Sequence, residues 1–176
     1  MIQLREKHMD RGSILAQALE LRELCGRYGV PLILNDDAEL AQAAGADGVH
    51  VGQSDMEAGR VRALLGEDKL IGVSARTVEQ ALAAQAAGAD YLGVGAMFPT
   101  GTKQDTRPVS YDTLKAICAA VDIPVVAIGG IGAGNVAELA GSGIAGVAVV
   151  SALYAQPDVE AATRSLRAQV ERVVGP

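Results

Sequence analysis

Residues 43–55 have the sequence AAGADGVHVGQSD, and this stretch carries the pattern that decides the fold. An Ala-rich helical segment ends at Gly45, a short apolar run follows, and polar residues up to Asp55 come directly after that run. The first part recurs as AAGADYL at residues 86–92 and more faintly as GSGIAGV at residues 141–147. Since glycine commonly ends helices, each copy predicts a helix that turns into a buried strand, with no ligand role needed.

On both sides of this stretch, short apolar runs alternate with longer helix-forming segments along all 176 residues. The predicted strands are residues 2–5, 31–35, 48–52, 70–74, 91–95, 124–128 and 146–150. The predicted helices are residues 11–28, 38–44, 56–65, 77–87, 110–120, 133–140 and 158–172. Strands that alternate with helices and are apolar on both faces indicate a parallel sheet covered by helices.

Polar residues at the carboxyl ends of the predicted strands help to distinguish a closed barrel from an open parallel sheet. They are Arg5, Lys7, Asn35, Asp36, Gln53, Asp55, Ser74, Thr100, Lys103 and Ser151, and the glycine pair Gly129 and Gly130 occupies the same place after one strand. In a barrel all the carboxyl ends of the strands meet at one face, whereas an open sheet concentrates its site at one switch point. The wide distribution favours a TIM (β/α)8 barrel. Because only seven βα units are recognisable, we expect a single domain over residues 1–176 that lacks the first unit.

Charge and composition exclude several classes of partner. The net charge is −6 and the isoelectric point is near 4.9, which argues against binding to nucleic acid or to anionic membranes. The first residues lack the apolar stretch of a secretory signal, so a cytoplasmic protein is predicted. Cys25 and Cys118 lie far apart among helix-forming residues and are interpreted as ordinary packed thiols.

Gln3 and Arg5 of the first predicted strand and Lys7 just beyond it lie at alternate positions, so at least the first of these side chains project from one face. Arginine offers a planar fork and lysine a point charge, and together they suit a diphosphate. A solvated edge strand would have the same pattern, and the spacing alone leaves both interpretations open.

Two carboxylates follow neighbouring strands, Asp36 after residues 31–35 and Asp55 after residues 48–52. Mg²⁺ typically takes one or two carboxylates and completes its octahedron with water and substrate phosphates. The alternative for either residue is capping of the helix that follows, and for Asp37 capping is the favoured interpretation.

Two later segments suit a phosphate. Residues 98–105 form a polar loop with hydroxyls and an ammonium group, and Gly130 and Ser151 follow the last two strands, where barrels frequently bind phosphate. The alternatives are a flexible surface loop and a tight glycine turn. His8 and His50 lack partners at triad or metal spacing, so structural or incidental roles are predicted for both.

Six ordered motifs together resemble the thiamine-phosphate synthase family. They are QLREK at residues 3–7, PLILNDD at 31–37, ADGVHVGQSD at 46–55, IGVS at 71–74, PTGTKQD at 99–105 and IGGI at 128–131. The resemblance implies a (β/α)8 barrel that condenses 4-amino-5-hydroxymethyl-2-methylpyrimidine diphosphate with 4-methyl-5-(2-hydroxyethyl)thiazole phosphate and releases diphosphate. It also implies that the pyrimidine diphosphate ionises first and that the thiazole nitrogen captures the cation.

The resemblance assigns roles motif by motif. It implies that Arg5, Lys7, Asn35 and Lys103 hold the diphosphate with Ser74 nearby, that Asp36 and Asp55 hold Mg²⁺, and that Gln3 contacts the pyrimidine. It implies that the thiazole phosphate is seated by Thr100, Thr102, Gly130, Val150 and Ser151.

The chain departs from the family at two points. Arg76 stands where relatives often have His, and no role is assigned to it; the family also has a strand and helix before residues 3–7. The open edges of an incomplete barrel leave formation of a homo-oligomer open. Two alternatives remain: a thiazole tautomerase-like barrel, against which the acidic and basic groups argue, and a non-catalytic phosphate-ligand-binding remnant.

Overall fold

The structure is a computed structural model that describes residues 1–101 and 108–175. It divides into two compact units. The first comprises Met1–Ser74 and Ala84–Asp90, and the second comprises Ala75–Ala83 and the described part of residues 91–175. Each unit is built from parallel strands and helices, which confirms the α/β class.

The first unit contains a parallel sheet in which each strand pairs with the next along the chain. Its strands are β1 (Ile2–Leu4), β2 (Leu32–Asn35), β3 (Gly48–Val51) and β4 (Leu70–Ala75, whose last residue belongs to the second unit). Its helices are α1 (Arg11–Arg27), α2 (Ala38–Ala44) and α3 (Ala58–Leu65). The register places Asn35 opposite His50 and His50 opposite Gly72, so the ends of β2, β3 and β4 lie side by side.

The second unit has the same parallel arrangement of strands. Its strands are β5 (Tyr91–Val94), β6 (Val125–Ile128) and β7 (Gly146–Ala148), and they also pair in parallel in chain order. Helix α4 (Val78–Ala86) contributes residues to both units. The remaining helical elements are α5 (Tyr111–Ala120), a 3₁₀ helix (Val136–Leu139), α6 (Ser151–Tyr154) and α7 (Val159–Val174).

Small and branched aliphatic side chains fill the core of each unit. In the first unit, Leu32, Ile33, Leu34, Val49 and Val51 are at most 1% exposed. Successive residues of a strand point to opposite faces, so this burial means that β2 and β3 are covered on both sides. Burial on both faces is the reason these strands were recognisable as continuous apolar runs.

The repeated Gly-Ala-Asp sequence has a structural purpose. The carboxylate of Asp47 accepts the backbone N–H of Leu32 at 2.8 Å, and that of Asp90 accepts the N–H of Ile71 at 2.7 Å. The N–H groups of Asp47 and Asp90 return hydrogen bonds to the carbonyls of Leu32 and Ile71. Each copy therefore joins a helix end to the start of a neighbouring strand, as the interpretation without a ligand predicted.

The predicted boundaries need correction at the chain's last predicted strand and at one helix. The strand predicted over residues 146–150 ends at Ala148, because the backbone of Val150 turns (φ −122°, ψ −75°) and Ser151 begins the unpredicted α6. The helix predicted over residues 133–140 is only the 3₁₀ turn Val136–Leu139. Glycines before that turn disfavour a regular helix there.

The two cysteines are free thiols within helices, as predicted. Cys25 is 7% exposed, and partial burial raises the pKa of the Cys118 thiol to about 11, so that thiol stays protonated at neutral pH. Within the described residues, no helix is both long and apolar enough to cross a membrane.

Arg62 in α3 contacts the loops that precede β4 and β5. Arg62 is 15% exposed, and its guanidinium donates to the carbonyls of Lys69 (2.6 Å), Gly66 (3.0 Å) and Gly88 (3.0 Å) and to the carboxylate of Asp90 (2.7 Å). Such charge-assisted bonds are stronger than neutral ones, and their loss removes the donor to three carbonyls and to the partly buried carboxylate of Asp90 at once.

We predict that Arg62→Met lowers the free energy of unfolding by about 2–4 kcal/mol, because it removes these donors together. The control is Arg60→Met on the exposed side of the same helix, which should change stability by less than about 0.5 kcal/mol. Urea unfolding followed by circular dichroism measures both. Equal stability of the two variants would show that Arg62 does not hold the loops together.

Candidate functional site

A cavity of about 340 Å³ lies at the carboxyl ends of β2 and β3 in the first unit. Its lining residues are Asp36, Asp37, Ala38, Glu39, Asp55 and Met56. Four of these six residues are acidic, so the cavity attracts cations. The predicted carboxylates Asp36 and Asp55 are thus brought together, as the order of the strands implied.

The ammonium group of Lys7 forms an ion pair with the carboxylate of Asp36. Lys7 lies beyond the end of β1, in a turn where the Glu6 carboxylate accepts the backbone N–H groups of Lys7 (2.7 Å) and His8 (2.9 Å). Those two bonds hold the pKa of Glu6 below its usual range. The turn, rather than continued strand alternation, therefore directs Lys7 toward the cavity.

The backbone of Asp36 lies in the left-handed region, with φ at 66°. This is uncommon for a residue other than glycine and persists where the surroundings enforce it. The N–H of Asp36 donates to the carbonyl of His50 at 2.8 Å, which ties the residue to the end of β3. Strain of this kind clusters at functional sites, so it supports a functional role for Asp36.

Asp37 caps α2, as predicted, because its carboxylate accepts the N–H of Leu40 at 2.7 Å. Arg11 was not predicted to contribute, yet its guanidinium lies 3.1 Å from the carboxylates of both Asp37 and Glu39. These contacts, first the hydrogen bond to Asp37, raise the pKa of Arg11. Arg11 thus offsets two of the negative charges that line the cavity.

Asp55 does not cap a helix, so the capping alternative is wrong for this residue. Its Oδ2 accepts the backbone N–H of Gly52 at 2.7 Å and closes the turn after β3. The N-cap of α3 is Glu57, which makes no capping bond with its side chain. The turn holds the half-buried carboxylate of Asp55 at the cavity.

Ser74 is held by two neighbours that the sequence did not indicate. Its hydroxyl lies 2.9 Å from Nε2 of His50, and its carbonyl accepts the side-chain amide of Gln53 at 2.8 Å. His50 is only 7% exposed, which agrees with the structural role predicted for it. Its contact nevertheless connects it to a residue of the predicted site.

The other predicted residues of the first unit lie near the same strand ends. Gln3 is in β1 and Arg5 follows it, and both side chains are exposed. Asn35 is the last residue of β2, opposite His50. Of the three residues predicted to alternate along the first strand, only Gln3 lies within β1, so strand alternation does not position Arg5 or Lys7.

In the second unit, a tightly packed glycine loop follows β6. Gly129 and Gly130 have positive φ values of 89° and 68°, and a Cβ at Gly130 would lie 2.5 Å from the carbonyl oxygen of Pro99. The side chain of Asn135 accepts the N–H of Gly132 and donates to the carbonyl of Gly130, both at 2.9 Å. The tight-turn alternative is thus correct as a description of the backbone, and Asn135 fixes the loop.

The remaining predicted residues of this unit lie on loops or at an element's end. Thr100 is half-buried in the segment after β5, while Val150 and Ser151 are exposed at the start of α6. Thr102 and Lys103 lie outside the described residues.

A comparison with known families decides the identity. The sequence profile of a family described as thiamine monophosphate synthase matches residues 1–153. The chain belongs to the thiamine monophosphate synthase family. The resemblance found in the six motifs is thereby confirmed.

Individual members of the thiamine monophosphate synthase family agree. A thiamine-phosphate synthase of Ruminiclostridium cellulolyticum is 49% identical over 94% of this chain and 79% of its own length. One from Chloroflexus aurantiacus is 52% identical over 97% of this chain and 79% of its own length. The solved thiamine phosphate pyrophosphorylase of Pyrococcus furiosus has a TM-score of 0.89 and 38% identity, covering 98% of this chain and 83% of that one.

For this family member we predict that Gly130→Ala destabilises the protein by about 1–3 kcal/mol, because a left-handed backbone and a carbonyl contact both oppose a Cβ. Gly134→Ala is the matched control, since a Cβ there has no neighbouring atom within 4 Å. Thermal unfolding of both variants tests this. A melting temperature of Gly130→Ala equal to that of the control would contradict the tight packing of this loop.

Proposed function

We propose that the protein is a thiamine-phosphate synthase that joins 4-amino-5-hydroxymethyl-2-methylpyrimidine diphosphate to 4-methyl-5-(2-hydroxyethyl)thiazole phosphate. One observation carries the proposal: in a member of this family, Asp36 and Asp55 line one cavity beyond the ends of adjacent strands, and Lys7 forms an ion pair with Asp36. That set provides the charges that a leaving diphosphate needs.

In the proposed reaction, the bond between the pyrimidine methylene carbon and the diphosphate oxygen breaks, and its electron pair leaves with the diphosphate. The thiazole nitrogen then forms a bond with the methylene carbon. No general base is central to this sequence, so catalysis depends on stabilising the leaving group and on positioning. Arg5, Lys7, Asn35, Ser74 and Lys103 are assigned to the diphosphate.

Mg²⁺ is proposed as the cofactor, held by Asp36 and Asp55. Both are hard oxygen ligands on the same cavity, and the Gly52 N–H holds one of them in place. Within residues 1–101 and 108–175, no group of three or more His, Cys, Asp or Glu side chains is arranged to hold a metal. A site with two carboxylates suits Mg²⁺, which fills its other positions with water and phosphate oxygens. When bound, the ion supplies positive charge for the leaving diphosphate.

The other substrate groups are assigned by the family motifs. Gln3 is proposed to contact the pyrimidine, and the thiazole phosphate is assigned to Thr100, Thr102, Gly130, Val150 and Ser151. The fixed loop at Gly130 supports this assignment, because a backbone held by Asn135 needs little reorganisation to bind a phosphate.

The TIM (β/α)8 barrel, of which seven βα units are recognisable in the sequence, also belongs to the proposal. It is supported by the parallel strands within each unit and by the likeness to the Pyrococcus furiosus structure. The cytoplasmic location predicted from the sequence stays a prediction.

A turnover assay tests the proposed reaction. The purified protein is incubated with both substrates and Mg²⁺, and thiamine phosphate and diphosphate are quantified by chromatography. Formation of the two products in equal amounts is expected. Isomerisation of the thiazole phosphate without release of diphosphate would favour a tautomerase, and binding without turnover would favour a non-catalytic protein; either result would contradict the proposal.

We predict that Asp36→Asn and Asp55→Asn each lower kcat by about two orders of magnitude or more, because each removes a proposed metal ligand charge. Asparagine tolerates the left-handed backbone of Asp36, so this change isolates the charge. Glu39→Gln removes one charge from the same cavity and should retain most activity. Titration of activity with Mg²⁺ measures all three variants, and full Mg²⁺-dependent activity in both Asn variants would remove the metal assignment.

We predict that Lys103→Ala lowers kcat at least about tenfold while changing KM for the thiazole phosphate less than about threefold, because charge grows on the diphosphate in the transition state. Lys115→Ala, an exposed lysine on α5, is the control and should behave as the wild type. Steady-state kinetics with each substrate varied separates the two effects. A change confined to KM for the thiazole phosphate would place Lys103 at the other phosphate.

A further inference from the structure

His50 is a buried polar side chain inside a strand. Among the described residues, His50 and Ser142 are the two polar residues that are more than nine-tenths buried, with 7% and 2% exposure. The hydroxyl of Ser142 donates to Leu139, three residues earlier, and so closes a local turn. The imidazole of His50 instead reaches a neighbouring strand, and its partner is the predicted site residue Ser74.

The register of the sheet explains how the two side chains meet. His50 in β3 is the partner of Gly72 in β4, and Ser74 comes two residues after Gly72. Residues two apart on a strand project from the same face, so the side chains of His50 and Ser74 are diagonal neighbours. Gly72 has no side chain to occupy the position opposite His50. The resulting Nε2–Oγ distance is 2.9 Å.

The two contacts of Ser74 fix different parts of the residue. Gln53 donates to its carbonyl and so holds the main chain, whereas the imidazole of His50 contacts its hydroxyl. A serine hydroxyl has one proton and two lone pairs, and its proton rotates to suit its partners. If Nε2 of His50 donates to one lone pair, the proton of Ser74 stays available for a further acceptor.

We propose that His50 is a positioning residue: its Nε2–H donates to the hydroxyl oxygen of Ser74 and thereby directs the Ser74 proton to the diphosphate of the substrate. The proposal rests on the proposed function, which assigns Ser74 to the diphosphate. It explains why a polar imidazole occupies a buried strand position next to Val49 and Val51, where an apolar residue would pack without needing a hydrogen-bond partner.

The test is a double-mutant cycle with His50→Met, Ser74→Ala and the combined variant. His50→Met should lower kcat by about tenfold or more and leave KM for the thiazole phosphate within about twofold, as expected for loss of a supporting hydrogen bond. In the Ser74→Ala background the same change should cost less than about twofold, because the hydroxyl that it orients is gone. His50→Gln keeps a donor N–H at similar reach and should recover most of the lost activity. Multiplicative losses in the combined variant would overturn the proposal.

A binding measurement separates this inference from the proposed function. Calorimetric titration with inorganic diphosphate and Mg²⁺ gives a Kd for the wild type and for the variants of the cycle, and the same non-additivity is expected there. If the wild type binds diphosphate but forms no thiamine phosphate, the proposed function fails while the coupling between His50 and Ser74 is still measured. Absence of diphosphate binding to the wild type would overturn both.

Two controls exclude a merely structural effect. Ser142→Ala removes the other buried polar group and should leave kcat within about twofold. Urea unfolding shows whether each variant is folded. If His50→Met does not fold, His50→Asn replaces it, since its shorter side chain places the amide out of reach of Ser74; equal activity of the Asn and Gln variants would then contradict the positioning role.

Discussion

Asp47 and Asp90 each make two hydrogen bonds to a residue at the start of a neighbouring strand. These bonds help to set the register of the strands, and the register determines which residues meet at the cavity. The carboxylate of Asp47 accepts the N–H of Leu32, and the N–H of Asp47 donates to the carbonyl of Leu32. Asp90 makes the same two bonds with Ile71. In a parallel sheet a slip of one residue would turn every side chain to the other face. Arg62 adds an ion pair to the hydrogen bonds that Asp90 makes with Ile71.

At the opposite strand ends, that register brings polar groups within reach of each other. Asn35 lies opposite His50, the Asp36 N–H donates to the His50 carbonyl, and Ser74 contacts the His50 imidazole. His50 is therefore the point at which the ends of β2, β3 and β4 are joined by hydrogen bonds. A shift of β3 by one residue would break all of these contacts, so the geometry of the site depends on bonds made at the other end of the sheet.

The sequence predicted the positions of the strands and the cap at Asp37, because apolar runs and an aspartate before a helix act locally. It did not predict the contacts of His50, Arg62 and Asn135, because each depends on which residues the register or a loop brings near. The last repeat shows the same limit. Ala145 stands where the other copies have Asp47 and Asp90. Its N–H donates to the carbonyl of Val125 at 2.8 Å, but it has no carboxylate to accept an N–H in return. The apolar run up to Val150 looks continuous in sequence, although the strand ends at Ala148.

The acidic residues that line the cavity would repel an anionic substrate, and two basic side chains reduce this repulsion. Arg11 pairs with Asp37 and Glu39, the two acids of the α2 start that cap a helix or face solvent. Lys7 pairs with Asp36, and Asp55 is held by a backbone N–H. The charges of Asp37 and Glu39 are therefore offset by Arg11, whereas Asp36, paired with Lys7, and Asp55 are the residues that the family motifs assign to a cation. The strained backbone of Asp36 fits this division, because strain is retained where a carboxylate must be held in one orientation.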